Sequence, residues 1–227
     1  MSDISPAEPT AETPAQLEPA APVEAEAALL ADPSPSAARF MTIAVLMEGG
    51  LAVLALGIGW LLGFDPWYGL NRDYDMIAFS RDVLWGVAAT APAVLVLMIE
   101  ETAWQPLADL KVQVHELLQR LLQGARLWQL LVIALAAGWG EELLFRGLLQ
   151  AGIAAILPGI AGLVASVLIA SILFGLCHYL SQTYFLLATL AGCYFGLVML
   201  ITGSLLPAII AHALYDFIAL AYLLEDE

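Results

Sequence analysis

Charged side chains stand inside a segment that is otherwise apolar enough to cross a membrane. From Leu127 to Gln150 the chain reads LWQLLVIALAAGWGEELLFRGLLQ, and a helix of about 20 apolar residues spans a bilayer. This run contains Glu141, Glu142 and Arg146. Because each charge near the bilayer centre costs roughly 2.5–3.5 kcal/mol to insert, we expect all three to face a polar interior and to have a function.

The spacing of these charges predicts one ion pair and one unpaired carboxylate. Glu142 and Arg146 are four residues apart, so they lie on one face of a helix and can pair. Glu141 points about 100° away from Glu142, and Arg146 cannot easily neutralise both. A poorly solvated carboxylate without a cationic partner is a candidate general base. Glu141 is therefore the candidate base, with the Glu142–Arg146 pair supporting it.

Two histidines stand in later apolar segments, each four residues from a second side chain of interest. His178 follows Phe174 by four positions, so the two rings share a helix face. His212 precedes Asp216 by four, which lets the carboxylate orient or charge the imidazole. Unpaired polar groups in hydrocarbon are costly. We therefore expect these side chains and the earlier charges, from three helices, to converge on one polar cavity.

A carboxylate and two imidazoles permit three kinds of chemistry. They can activate a water, with Glu141 taking its proton and the imidazoles positioning it or stabilising an oxyanion. They can bind a divalent metal such as Zn²⁺, because one carboxylate and two imidazoles form a catalytic zinc set, here Glu141, His178 and His212. They can also line a proton or ion pathway. The residue types alone do not separate these possibilities.

The composition places the chain in a membrane. It has 227 residues, of which 61% are hydrophobic, and its mean hydropathy is +0.85, outside the range of soluble proteins. Acidic residues outnumber Lys and Arg by 22 to 7, so nucleic acid is not an expected partner. Cys177 and Cys193 stand in apolar stretches and are expected to be packing residues.

Six apolar segments have spanning length, and two further regions do not. Residues 1–37 are rich in Pro, Ala and Glu without an aromatic residue, which predicts a disordered acidic tail. Residues 100–126 repeat apolar positions at spacings of three and four, which predicts an amphipathic helix along the membrane surface. The predicted spans are 40–62, 81–99, 128–150, 160–180, 184–202 and 204–224.

The predicted fold is an all-α polytopic membrane helical bundle, with about six transmembrane helices and one amphipathic surface helix. After the tail, residues 38–126 form two transmembrane helices and the surface helix, and residues 127–224 form the catalytic core. Glu48 is a lone acid in the first span. It faces either the bundle interior or the headgroups, and the sequence does not decide between them.

The distribution of basic residues favours a cytoplasmic N-terminus. Under the positive-inside rule, four basic residues on one side of the spans outweigh two on the other. We expect an integral, multi-pass protein of the plasma (inner) membrane. The residues counted are Arg39, Lys111, Arg120 and Arg126 against Arg72 and Arg81.

Three motifs, in this order on successive apolar helices, resemble one protein family. Glu-Glu-x-x-x-Arg at 141–146, Phe-x-x-x-His at 174–178 and His-x-x-x-Asp at 212–216 are similar to those of the CAAX prenyl protease and bacteriocin-processing family, CPBP, also called Abi. The resemblance covers residues 128–222. It implies an all-helical intramembrane endopeptidase that cleaves peptide bonds near the membrane surface.

The resemblance also implies roles for the motif residues. Glu141 would activate the water, and His178 and His212 would bind it or the oxyanion. Glu142 with Arg146 would stabilise the site. Family members include metalloproteases and metal-independent glutamate-type enzymes, so both Zn²⁺ and no cofactor stay open.

The remaining expectations concern substrate and partners. Phe174 is expected to contact the substrate, a peptide or protein with or without an attached lipid, and membrane lipid is the other partner. Asp216 stands where the third motif commonly ends in Asn, which leaves its role open. The alternatives are a non-catalytic scaffold or immunity-like protein and, third, a proton- or ion-coupled transporter. The transporter is disfavoured because the chain lacks repeats and paired interrupted helices.

Overall fold

The chain folds into helices joined by short connections. The computed structural model describes residues 35–68, 70, 74–98 and 105–225, and within them no strand occurs. This confirms the predicted all-α class. In chain order the helices are α1 (Pro35–Leu62), α2 (Met76–Leu97), α3 (Gln105–Leu122), α4 (Leu127–Ile156), α5 (Gly159–Cys177), α6 (Gln182–Thr202) and α7 (Leu206–Glu225).

Six of these helices, all except α3, are long and apolar enough to cross a membrane. The prediction of six spans is therefore confirmed. The helix α3 is the amphipathic one, and it packs against the bundle through its apolar side. Leu122 lies in a buried cluster with Leu130 and Ile133 of α4. In addition, the carbonyl of Leu223 near the end of α7 accepts a hydrogen bond of 2.9 Å from Nδ1 of His115.

Two helices begin five residues earlier than predicted. The helix α1 begins at Pro35, so residues 35–37 of the predicted tail are helical, and residues 1–34 lie outside the described residues. The helix α2 begins at Met76 rather than at 81, because the side chain of Asp75 accepts a hydrogen bond of 2.8 Å from the backbone nitrogen of Ala78. Such an N-cap satisfies a donor that the first turn leaves unpaired.

The helix α4 is not a regular α-helix along its whole length. Residues Leu127–Glu142 are α-helical, residues Leu143–Gln150 form a wider π-helical stretch, and residues Ala151–Ile156 are α-helical again. In this π stretch the side chains of Arg146 and Gln150 donate hydrogen bonds to backbone carbonyls of α6, over 3.0 and 3.1 Å. The stretch is thus anchored to a neighbouring helix. Such π stretches are rare and are frequent at functional sites.

Two glycines let other helices approach α4 closely. A Cβ at Gly138 would lie 2.9 Å from the Cβ of Ala213 on α7, and one at Gly140 would overlap the backbone carbonyl of Glu48 on α1. Small residues permit this kind of helix contact in membranes. As a result, the part of α4 that carries Glu141 packs against both α1 and α7.

Because α1 lies so close to Gly140, a methyl group added at that residue is expected to affect stability. We expect Gly140→Ala to lower the stability by about 1–3 kcal/mol, because overpacking forces two backbones apart. The measurement is thermal unfolding of the protein in detergent. Gly152→Ala on the same helix is the control: a Cβ there meets nothing within 4 Å, and no loss is expected. Equal unfolding temperatures for the two variants would contradict the close packing.

Candidate active site

A buried carboxylate joins two helices at the centre of the bundle. Oε1 of Glu142 accepts a hydrogen bond of 2.8 Å from Nη1 of Arg146 and lies 2.7 Å from Nδ1 of His212. All three residues are buried. Because the carboxylate only accepts, Nδ1 of His212 is the donor. The predicted Glu142–Arg146 pair is confirmed, and the same oxygen also holds the imidazole from α7.

Arg146 connects this carboxylate to two further helices. Its Nη2 donates a hydrogen bond of 3.0 Å to the carbonyl of Gly192 on α6. Its guanidinium carbon lies 4.5 Å from the ring centroid of Phe174 on α5 and 5.6 Å from that of Phe195 on α6. These distances are typical of cation–π contacts. One side chain therefore touches two other helices of the core, α5 and α6.

Both histidine rings are held by an aromatic partner and by an acceptor at Nδ1. The ring of His178 stacks on that of Phe174 at 4.4 Å, and that of His212 on Phe195 at 4.9 Å. Nδ1 of His178 donates to the carbonyl of Phe174 over 2.9 Å, as Nδ1 of His212 does to Glu142. In each neutral ring the other nitrogen, Nε2, is then an acceptor.

The two Nε2 atoms approach one oxygen of the predicted base. Oε2 of Glu141 lies 3.5 Å from Nε2 of His178 and 4.0 Å from Nε2 of His212. This oxygen is buried, and no group among the described residues donates a hydrogen bond to it. Oδ2 of Asp216 also lies 3.5 Å from Nε2 of His212. The two distances to Glu141 are long for direct hydrogen bonds and suit a contact through water.

The structure thus brings together residues that the sequence separates by up to 75 positions. The side chains of Glu141 and His212 are 10% and 5% exposed, whereas those of His178 and Asp216 are 26% and 28% exposed. The site is therefore reached from the side of His178 and Asp216. The group consists of Glu141, Glu142, Arg146, Phe174, His178, His212 and Asp216.

Glu48 belongs to the same neighbourhood. Its backbone packs on Gly140, one of its carboxylate oxygens is buried, and its charge interacts with those of His212 and Asp216. Of the two alternatives left open by the sequence, the structure selects the bundle interior.

The donor set does not fit a zinc ion as it stands. Within the described ranges, no three side chains of His, Cys, Asp or Glu form a group that could hold a metal ion. Oε2 of Glu141 and Nε2 of His212 lie 4.0 Å apart. Two ligand atoms of a tetrahedral zinc, each bound at about 2.0–2.1 Å, lie only roughly 3.3 Å apart.

Sequence reasoning missed the contribution of α6. Gly192 contributes a backbone carbonyl and Phe195 a ring face, and neither carries a polar side chain that would mark it. The available signal is the spacing of Gly192 and Gly196, since two glycines four positions apart mark a close helix contact in membranes.

Comparison with known proteins gives a family match within this core. Residues 123–218 match the family model described as type II CAAX prenyl endopeptidase Rce1-like. The match confirms the resemblance that the three motifs indicated, and the matched segment is that of a CAAX-type endopeptidase family, a class of proteases. No curated protein and no solved structure matches the chain. With its six apolar helices, the chain is a multi-pass integral membrane protein.

The buried ion pair predicts a large loss of stability when one partner is removed. We expect Arg146→Gln to cost about 3–5 kcal/mol, because it leaves the carboxylate of Glu142 buried and unpaired. The double variant with Glu142→Gln should recover part of this loss, since neither charge of the pair remains buried. Thermal unfolding in detergent measures both.

Arg120→Gln is the control for that experiment. Arg120 pairs with Glu116 over 3.8 Å, and both side chains are exposed, so little change is expected. If Arg146→Gln and Arg120→Gln unfold alike, the buried pair is not the anchor of the core.

Proposed function

We propose that the protein is a membrane-embedded endopeptidase that hydrolyses a membrane-proximal peptide bond with a water activated by Glu141. The observation that carries this proposal is the approach of both Nε2 atoms, of His178 and His212, to Oε2 of Glu141 at 3.5 and 4.0 Å, an oxygen that accepts no hydrogen bond from the described residues. The family match to residues 123–218 supports the reaction class.

The distances among these atoms are compatible with a water that contacts Glu141 and a histidine at once. Oε2 of Glu141 lies 3.5 Å from Nε2 of His178 and 4.0 Å from Nε2 of His212. A water oxygen can lie at a hydrogen-bond distance of about 2.8 Å from both atoms of either pair. A water donates only two hydrogen bonds, so we assign one to Glu141 and one to Nε2 of His178. His212 has carboxylates near both ring nitrogens, Glu142 and Asp216. We assign it to carry a proton and to donate to the oxyanion.

The proton that Glu141 takes from the water is returned to the leaving group in the same reaction. Glu141 takes one proton from the water while the water oxygen bonds to the carbonyl carbon and the carbonyl electrons move to its oxygen. When the tetrahedral intermediate collapses, the carbon–nitrogen bond breaks, and the leaving amine receives the proton that Glu141 holds. The products are an amine terminus and a carboxyl group that keeps the second proton of the water.

We assign the remaining residues to positioning. Glu142 and Arg146 hold His212 and connect the four core helices. Phe174 is only 3% exposed and lies against His178 and Arg146, so we propose that it orients His178 rather than binding the substrate. The substrate is proposed to enter from the exposed edges of His178 and Asp216, as a peptide with or without an attached lipid, at the plasma membrane.

Replacement of the proposed base tests this function. We expect Glu141→Gln to reduce cleavage by roughly 10²–10⁴-fold, the usual contribution of a general base, without lowering the unfolding temperature, since the amide has the same size. Cleavage of membrane-anchored reporter peptides in proteoliposomes is followed by mass spectrometry. Glu116→Gln on the exposed side of α3 is the control. Full cleavage by Glu141→Gln would reject the assigned base, and no cleavage by the wild type would favour a scaffold.

The misfit of the donor set to zinc predicts the response to chelation. Because the water is proposed to be held by side chains alone, we expect cleavage to persist after dialysis against a strong chelator. The same reporter assay measures it, with the Glu141→Gln protein as the background. Loss of cleavage that added Zn²⁺ restores would instead assign Glu141, His178 and His212 to a metal.

A further inference from the structure

A tyrosine that belongs to none of the three motifs lies at the open side of the candidate active site. Tyr184 is the third residue of α6 and is half-buried. Its ring meets the ring of His178 edge-on, with the two centroids 6.3 Å apart. Its phenol also interacts electrostatically with the carboxylates of Glu141 and Asp216. Tyr184 therefore faces the side from which the substrate is proposed to enter.

The local structure holds this ring beside the histidine. His178 is the residue at which α5 ends, and only residues 179–181 separate it from the first residue of α6. Ser181 caps α6, because its hydroxyl accepts a hydrogen bond of 3.2 Å from the backbone nitrogen of Tyr184. A cap of this kind satisfies a donor of the first helical turn and stabilises it. The tyrosine is therefore fixed in the turn that directly follows the site.

The charges around His212 indicate what a phenol can contribute to the reaction. In the proposed reaction the oxyanion accepts a hydrogen bond from Nε2 of His212. Oδ2 of Asp216 lies 3.5 Å from the same nitrogen, and Glu48 interacts electrostatically with both residues. These two carboxylates disfavour a further negative charge nearby, and Asp216 competes for the N–H group that is to stabilise it. A second hydrogen-bond donor on this side would offset both effects.

The chemistry of the neighbouring side chains selects Tyr184 as that donor. The carboxylates of Glu141 and Asp216 only accept hydrogen bonds when ionised, and Nε2 of a neutral His178 is also an acceptor. A phenol O–H is a donor that adds no charge to a buried site. Tyr215 is a second phenol near Asp216. Tyr184 is distinguished from it by its ring contact with His178 and its interaction with Glu141.

We propose that Tyr184 is a further catalytic residue, whose hydroxyl donates a hydrogen bond to the oxyanion of the tetrahedral intermediate alongside His212. The inference rests on the proposed function, because it adds a second stabilising group to the same reaction. The phenol keeps its proton throughout, so the transfer of a proton from the water to Glu141 and on to the leaving amine is unchanged. Donors aimed at a developing oxyanion lower the barrier because they stabilise the transition state more than the substrate.

Removal of the hydroxyl alone tests this role. Tyr184→Phe keeps the ring and its contact with His178, so we expect the same unfolding temperature and nearly the same KM, with kcat lower by roughly 10²–10³-fold in the reporter assay. Tyr179→Phe is the matched control, since its ring is exposed and packs beside Phe185, and it should cleave like the wild type. Wild-type cleavage by Tyr184→Phe would overturn the inference and leave the proposed function standing.

Binding of a tetrahedral mimic separates oxyanion stabilisation from other losses of rate. A reporter peptide with a phosphinate in place of the scissile bond should bind Tyr184→Phe roughly tenfold or more weakly than it binds the wild type. The uncleaved reporter, measured in the Glu141→Gln protein, should bind equally with and without Tyr184→Phe. Equal losses for both ligands would make Tyr184 an entrance residue and overturn the inference. A wild type that neither cleaves the reporter nor prefers the phosphinate would reject the proposed function and the inference with it.

Discussion

The core of this protein depends on one carboxylate oxygen, Oε1 of Glu142. It accepts from the guanidinium of Arg146 on its own helix and from the imidazole of His212 on α7. A charge this deeply buried is tolerated only when it is paired and hydrogen-bonded. The guanidinium continues to the Gly192 carbonyl and to two aromatic rings, so one chain of contacts holds α4, α5, α6 and α7 in register.

Adjacent glutamates consequently have opposite environments. Glu142 has its charge compensated, whereas the next carboxylate in the chain, that of Glu141, lies near two Nε2 atoms and receives no hydrogen bond on Oε2 from the described residues. Oε1 of Glu142 accepts two hydrogen bonds, whereas Oε2 of Glu142 and Oε2 of Glu141 are buried without a donor among the described residues. Exceptions of this kind to otherwise consistent packing are expected at functional sites. The carboxylate of the stabilising pair and that of the proposed base therefore belong to consecutive residues.

Much of this arrangement could be predicted because it is local. The six spans follow from hydropathy and length. The Glu142–Arg146 pair follows from a four-residue spacing. It forms even though Arg146 lies in a π-helical stretch that the sequence does not reveal. The same spacing places His178 beside Phe174 and His212 beside Asp216. Contacts between residues one helical turn apart depend only on helix geometry.

The sequence by itself determined the helices, the ionisable residues and their neighbours along each helix. Only the tertiary structure decided that Glu48 faces the interior, that α6 contributes Gly192 and Phe195, and that both Nε2 atoms turn towards Glu141. These features depend on how far each helix is rotated and how closely it approaches α4. Rotation and approach are set by packing, for example by Gly138 against Ala213, and packing between helices leaves no periodic pattern in a uniformly apolar sequence.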